Sequence, residues 1–222
     1  MSGEILVVRS GTVPYEEARE LQREVAARRQ REEIGDVLLL LEHPPVYTRG
    51  RRSQPGELPM GAAWYEAQGI EVLDTDRGGL VTYHGPGQLV AYPIVGLRGY
   101  GDDVHEFVRG LERVMTETLG AYGVRANAIE GLTGVWVGTR KIGSIGLHVS
   151  RGVTTHGLAI NVNNDLQPFE WVVPCGIEGV SMTSLSRELG AEQDIDAFAD
   201  ALVAAYASVF EREPVARDSV AA

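Results

Sequence analysis

The chain has 222 residues, 44% of them apolar, and a formal charge of −11. That is enough for one sizeable core, and the acidic balance argues against a nucleic-acid partner, because neutralising phosphates takes a surplus of Lys and Arg. One cysteine excludes an internal disulfide and a Cys-rich metal framework; with no signal-peptide pattern and no run of ~18 apolar residues, a soluble cytoplasmic protein is expected.

The elements follow from the spacing of apolar residues. "EILVVRS" reads as a first strand. A helix over 14–32 follows, with Tyr15, Ala18, Leu21 and Val25 on one face, Thr12 as a plausible cap and Pro14 in the first turn. "DVLLLLEHPP" is a continuous apolar run closed by prolines, as expected of a buried strand. "AAWYEAQG" reads as a short helix and "IEVLD" as a strand. The pieces "LVTYH" and "QLVAYPIV" are β-like and joined by "GPG". Between 102 and 122, Val104, Phe107, Val108, Leu111, Val114, Met115 and Thr118 trace a helical stripe, read as core packing. From 134 to 163 turn signals at "GT" and "SRG" predict an antiparallel meander. "TSLSRELG" is a short helix. A final amphipathic helix runs through Ile195, Phe198, Leu202, Tyr206 and Phe210. The resulting expectation is an α+β fold with a mixed, largely antiparallel sheet backed by helices. It forms one catalytic-sized domain over 1–213, with 214–222 as a mobile tail.

Several residues stand out chemically. Nineteen of the twenty basic side chains are arginine, and Lys141 is the single lysine. Arginine does not release its proton, whereas a lysine can act as an acid or base. Cys175 is the single cysteine, in a Pro/Gly-flanked loop. A nearby ammonium favours its thiolate, and the same lysine can accept a proton from an attacking amine. A pairing of Cys175 with a histidine remains an alternative that spacing cannot assign.

Glycines crowd two β-like stretches: Gly78, Gly79, Gly85, Gly87, Gly138, Gly143, Gly146, Gly152 and Gly157. Some make tight turns; the others suggest that a ligand or another backbone approaches closely. His84 ends a strand at the "GPG" turn, where it can project into a cleft, while His148 and His156 read as structural. Convergent metal ligands are missing from the spacing, so no metal is expected. "RGGLVTYHGPGQ" has neither the Lys-Ser/Thr ending nor the helix of a nucleotide-phosphate loop.

Four motifs, "RGGLVTYHGPGQLVAYPI", "GTRKIGSIG", "THGLAINV" and "VPCGIEGVSMTSL", occur in an order and spacing that resemble the lipoyl(octanoyl) transferase family. The likeness covers roughly 40–190. It implies a fold similar to the biotin and lipoate protein ligase catalytic domains. It also implies a ping-pong transfer, without ATP or another cofactor, of an octanoyl group from acyl carrier protein to an enzyme cysteine. From there the group passes to a lysine on lipoyl domains of 2-oxoacid dehydrogenase complexes or the glycine cleavage H protein. By that resemblance Cys175 is the nucleophile and Lys141 the residue that tunes it. Arg77, Gly78, Gly79, Leu80, Val81, Thr82, Tyr83 and His84 form a substrate-binding segment, and Ser144, Ile145, Gly146, Gly157, Leu158 and Ala159 the other walls of an acyl pocket. The carrier implied is acidic, so Arg49, Arg51 and Arg52 are the expected docking residues. The alternative is an ATP-dependent lipoate or biotin protein ligase of related fold, which needs no cysteine.

Overall fold

The computed structural model describes residues 3–172 and 180–220, so Cys175 lies outside the described residues. In chain order the first half comprises β1 (Gly3–Thr12), α1 (Tyr15–Gln30), β2 (Asp36–Glu42), β3 (Val46–Arg49), α2 (Ala62–Ala67), β4 (Glu71–Asp74), β5 (Thr82–His84) and β6 (Gln88–Ile94). The second half comprises α3 (Val104–Ala121), β7 (Asn127–Ile129), β8 (Leu132–Val137), β9 (Arg140–Ser150), β10 (Val153–Asn161), β11 (Ser181–Met182), α4 (Leu185–Leu189), α5 (Ile195–Phe210) and β12 (Arg212–Arg217).

The apolar run of β2 is buried on both faces, and the pleat divides its side chains between two cores. Leu38 and Leu40 join Leu89 and Ala91 of β6 on the side covered by α3 and α5. Val37, Leu39 and Leu41 join Val90, Tyr92 and Ile94 on the side covered by α1. These two strands lie in the interior of a sheet ordered β12-β1-β2-β6-β10-β9-β8-β7, with β11 added beside β9. β1 pairs in parallel with β2 and β12; from β2 through β6, β10, β9 and β8 to β7 every neighbour is antiparallel. The expected α+β architecture is therefore the observed one. Among the described residues no helix is long and apolar enough to cross a membrane.

A smaller three-stranded sheet, β4-β3-β5, carries its own core of Tyr47, Tyr65, Ile70, Val81, Tyr83, Phe169 and Val172. The "GPG" segment thus does not close a hairpin between β5 and β6. It carries the chain from the small sheet to the large one, with Gly87 at φ +84° and its carbonyl accepting from the backbone N–H groups of Val162 and Asn163.

Three expectations are corrected. Pro14, not Thr12, precedes the first turn of α1, and no side chain caps it; the helix gains instead from Glu16 and Glu17 at its N-terminus and Arg28 and Arg29 at its C-terminus. Leu21 is only partly buried, and Gln22 takes the inward position. Of the expected tail, residues 214–217 belong to β12. Glu211 adopts a left-handed conformation (φ 52°) that turns the chain back from α5 onto the open edge of β1.

Candidate active site

A cavity of about 450 Å³ opens where the small sheet meets the face of the large one. One wall is the loop at 77–82; a second is the paired stretch of β9 and β10, where Ser144 faces Ala159, Ile145 faces Leu158 and Gly146 faces Gly157. The first turns of α3, through Val104, His105 and Val108, and the start of β8, through Leu132 and Thr133, complete it. Its lining is mainly apolar with a few polar groups, as expected of a small-molecule site of this size.

The glycines explain how the walls come together. The Gly78 N–H donates to the Leu147 carbonyl at 2.8 Å, and a Cβ on Gly146 would lie 2.9 Å from the Gly78 carbonyl oxygen. A Cβ on Gly157 would collide with the Ala91 carbonyl of β6. These close approaches are backbone to backbone. They bind the loop to the sheet, and they differ from Gly138 (φ +59°) and Gly152 (φ +76°), which make turns. Arg77 is buried and holds the loop from inside. Its guanidinium donates to the Thr48 carbonyl at 2.6 Å, the Thr48 hydroxyl at 2.9 and 3.0 Å, the Leu80 carbonyl at 2.7 Å and the Gly78 carbonyl at 2.9 Å.

Lys141 is 7% exposed and lines the cavity. It lies opposite Trp136 of β8, with Nζ 5.4 Å from the centre of that ring. Its stem passes over Gly134 (φ +114°), where a Cβ would come within 2.8 Å of Lys141 Cε. Met182 pairs with Lys141 in the parallel β11 to β9 contact, so the first described strand after position 175 runs beside this lysine.

A cluster of histidines and tyrosines backs the cavity. His156, in β10, holds φ +57°, an uncommon conformation for a residue with a Cβ that costs on the order of 1–3 kcal/mol and persists only where its surroundings fix it. Three contacts fix it. Its backbone N–H donates to Gln22 Oε1 at 2.7 Å, its Nε2–H to Asp76 at 2.8 Å, and its Nδ1 lies 3.4 Å from the Tyr15 hydroxyl. The His156 hydrogen bond holds the Asp76 carboxyl below its usual range, while burial holds His156 below the usual imidazole range. The pair is therefore a carboxylate accepting from a neutral ring.

His43 lies deeper. It donates from Nδ1 to the Val13 carbonyl and accepts at Nε2 from the Tyr92 hydroxyl, each at 2.7 Å. Burial pushes its pKa down to about 4. The folded state thus excludes a proton that the unfolded chain binds below about pH 6.5, so stability is lost as pH falls from 6.5 towards 4, by up to about 3 kcal/mol. His43→Asn is expected to flatten that part of the profile, measured as urea midpoints between pH 4 and 7; parallel profiles would refute it.

The chain matches the family model for the lipoyl protein ligase A/B catalytic domain over residues 14–207. It belongs to that family. An octanoyltransferase of Chloroflexus aggregans is 47% identical over 95% of this chain and 97% of its own length. The bipartite lipoate protein ligase of Thermoplasma acidophilum superposes with a TM-score of 0.71 at 16% identity, covering 98% of this chain and 89% of that one. The biotin protein ligase of Aquifex aeolicus does so at 0.52 and 10%, covering 95% and 70%. The last two likenesses concern the fold.

For this ligase A/B-family chain, the structure places Arg77, Gly78, Gly79, Leu80, Val81, Thr82, His84, Lys141, Ser144, Ile145, Gly146, Gly157, Leu158 and Ala159 around one cavity. Tyr83 is the exception. Strand alternation sends Thr82 and His84 to the cavity and Tyr83 to the opposite face, against Phe169 and Tyr47 in the small core. Cys175 lies outside the described residues. Sequence reasoning missed Tyr15, Tyr92, Trp136 and Leu147 in the lining; Val104 packs against the main core as expected and borders the cavity as well, and Val108, read as packing, also lines it. His156, read as structural, also lines the cavity, and the acidic neighbour of "RGG", Asp76, was the available signal for its partner.

Proposed function

We propose that this protein is an octanoyltransferase of lipoate biosynthesis. It carries an octanoyl group from the thioester of an acyl carrier protein to Cys175, and then to the ε-amino group of a lysine on a lipoyl domain of a 2-oxoacid dehydrogenase or the glycine cleavage H protein, in the cytoplasm. The observation that carries this reading is the convergence of three distant segments, 77–84, 141–146 and 157–159, on one largely apolar cavity with the single lysine in its wall. The 47% identity to an octanoyltransferase over nearly the whole chain favours it over the ligase reading, whose support is a likeness of fold at 16%.

In this scheme the Cys175 thiolate attacks the thioester carbonyl, and the carrier's C–S bond breaks. The departing thiolate takes a proton from the Lys141 ammonium. Exchange between thioesters is nearly thermoneutral, so the acyl group stays activated without ATP. The acceptor amine then forms the C–N bond, the Cys175 thiolate leaves, and neutral Lys141 recovers one proton. The apolar walls contribute ~0.8 kcal/mol for each methylene of the chain that they bury.

Intact mass measurement after mixing with octanoyl carrier protein, without ATP, is expected to show one octanoyl group on Cys175 that a lipoyl domain removes. An ATP requirement with no adduct would replace this reading with the ligase one.

Docking of an acidic carrier on an acidic enzyme needs a local basic surface. Arg49 is engaged by Asp74 at 2.8 Å, whereas Arg51 and Arg52 are exposed and Arg52 reaches the cavity rim. Their backbone N–H groups bond the carbonyls of Arg77 and Gly79, so the substrate loop and the proposed dock are one unit. Arg51→Glu with Arg52→Glu is expected to slow acylation about tenfold at low salt and less at high salt. A salt-independent or unchanged rate, by stopped flow, would move the docking site elsewhere.

A further inference from the structure

The transfer proposed above releases a proton that Lys141 does not account for. The acceptor lysine arrives as an ammonium and ends as an amide N–H, so it gives up two protons. One replaces the proton that Lys141 gave to the carrier thiolate; the other needs a second acceptor within reach of the amine. Resting on the acyl-enzyme reading, we propose that His84 is that acceptor: its Nε2 takes a proton from the incoming ammonium and leaves the neutral amine that attacks the Cys175 thioester.

The hydrogen-bond chain behind His84 fixes which ring nitrogen is available. It begins at the Thr183 carbonyl, which can only accept, so Asn161 must turn its Nδ2 towards it, at 3.0 Å. Asn161 Oδ1 then faces Gln88 and accepts from its Nε2 at 2.9 Å, and the same amide donates to the Tyr83 carbonyl at 3.3 Å. Gln88 is left to present Oε1 to His84 Nδ1, at 2.6 Å. An amide oxygen demands an N–H there, so the neutral ring carries its proton on Nδ1 and a lone pair on Nε2. Among the described residues no donor hydrogen-bonds Nε2, and His84 lines the cavity.

The ring is also held in place. Tyr15 stacks on it at 6.1 Å between centroids, and His43 meets it edge-on at 5.6 Å. Burial, with His43, Arg77 and His156 nearby, holds His84 well below the ordinary imidazole range, so the free site rests neutral. That does not forbid the step. The incoming ammonium undergoes the same desolvation, and handing its proton to His84 moves one buried positive charge without adding another. The same surroundings return the proton to solvent when the product leaves.

The test compares two nucleophiles on the preformed acyl-enzyme. Hydroxylamine is neutral at pH 7 and needs no prior deprotonation; the lipoyl-domain lysine does. His84→Asn retains a donor towards Gln88. With enzyme acylated by octanoyl carrier protein and freed of donor, the ratio of the lysine rate to the hydroxylamine rate is expected to fall about 100-fold relative to wild type, the lower end of general-base effects. His84→Gln provides the same ratio if His84→Asn does not fold. A ratio within threefold of wild type overturns the inference, because a structural defect slows both nucleophiles together. Failure of wild-type enzyme to form the octanoyl adduct would instead sink the acyl-enzyme reading, and this inference with it.

Discussion

Cys175→Ala is expected to abolish the octanoyl adduct and to lower transfer to a lipoyl domain by at least about four orders of magnitude, the scale on which covalent catalysis fails without its nucleophile. The measurement is single-turnover transfer of labelled octanoate, with circular dichroism to confirm folding. The chain has no second thiol to substitute for Cys175, so residual activity cannot come from a neighbouring cysteine. Transfer at more than a tenth of the wild-type rate would mean that no enzyme thioester lies on the path, and an adenylate route would become the better account.

Lys141→Met is expected to carry the next largest loss, about 10²- to 10⁴-fold in kcat/KM, the range associated with removing a general acid–base group. Methionine suits the channel between Gly134 and the Trp136 ring, so the fold is retained and the loss is chemical. In the proposed scheme the ammonium stabilises the Cys175 thiolate, so iodoacetamide alkylation at pH 7 is expected to slow in parallel. Lys141→Arg separates the two roles: it keeps a positive charge but not a proton that can be exchanged, so alkylation should recover more than transfer does. Equal alkylation rates in wild type and Lys141→Met would disconnect this lysine from the thiol.

Much of the architecture could be read from periodicity because tertiary structure reinforced it. The run in β2 is apolar at consecutive positions, and both faces of that strand are covered. The stripe on α3 is regular, and Asp103 caps the helix by accepting from the N–H groups of His105 and Glu106. What escaped was set by partners distant in sequence. β12 has no apolar alternation; it forms because the neighbouring edge of β1 offers unpaired backbone groups. Gln22 is polar and lies outside the apolar stripe of its helix, yet it is buried and receives the N–H of His156, 134 residues away. The same limit applied to the cavity. Motifs located most of its walls, but period alone could not reveal that Tyr83 faces away from it or that Val104 and Val108 border open space.

β12 also bears on how the molecule behaves at high concentration. A bare β1 margin, with Ile5, Val7 and Val8 along it, would offer a neighbouring molecule a ready template for strand addition. The strand that covers it presents Arg212, Glu213 and Arg217 together with Pro214, which has no amide hydrogen to donate. The outermost border of the sheet is thereby a poor docking line for another chain, a safeguard against self-association built from residues that contribute little to any core.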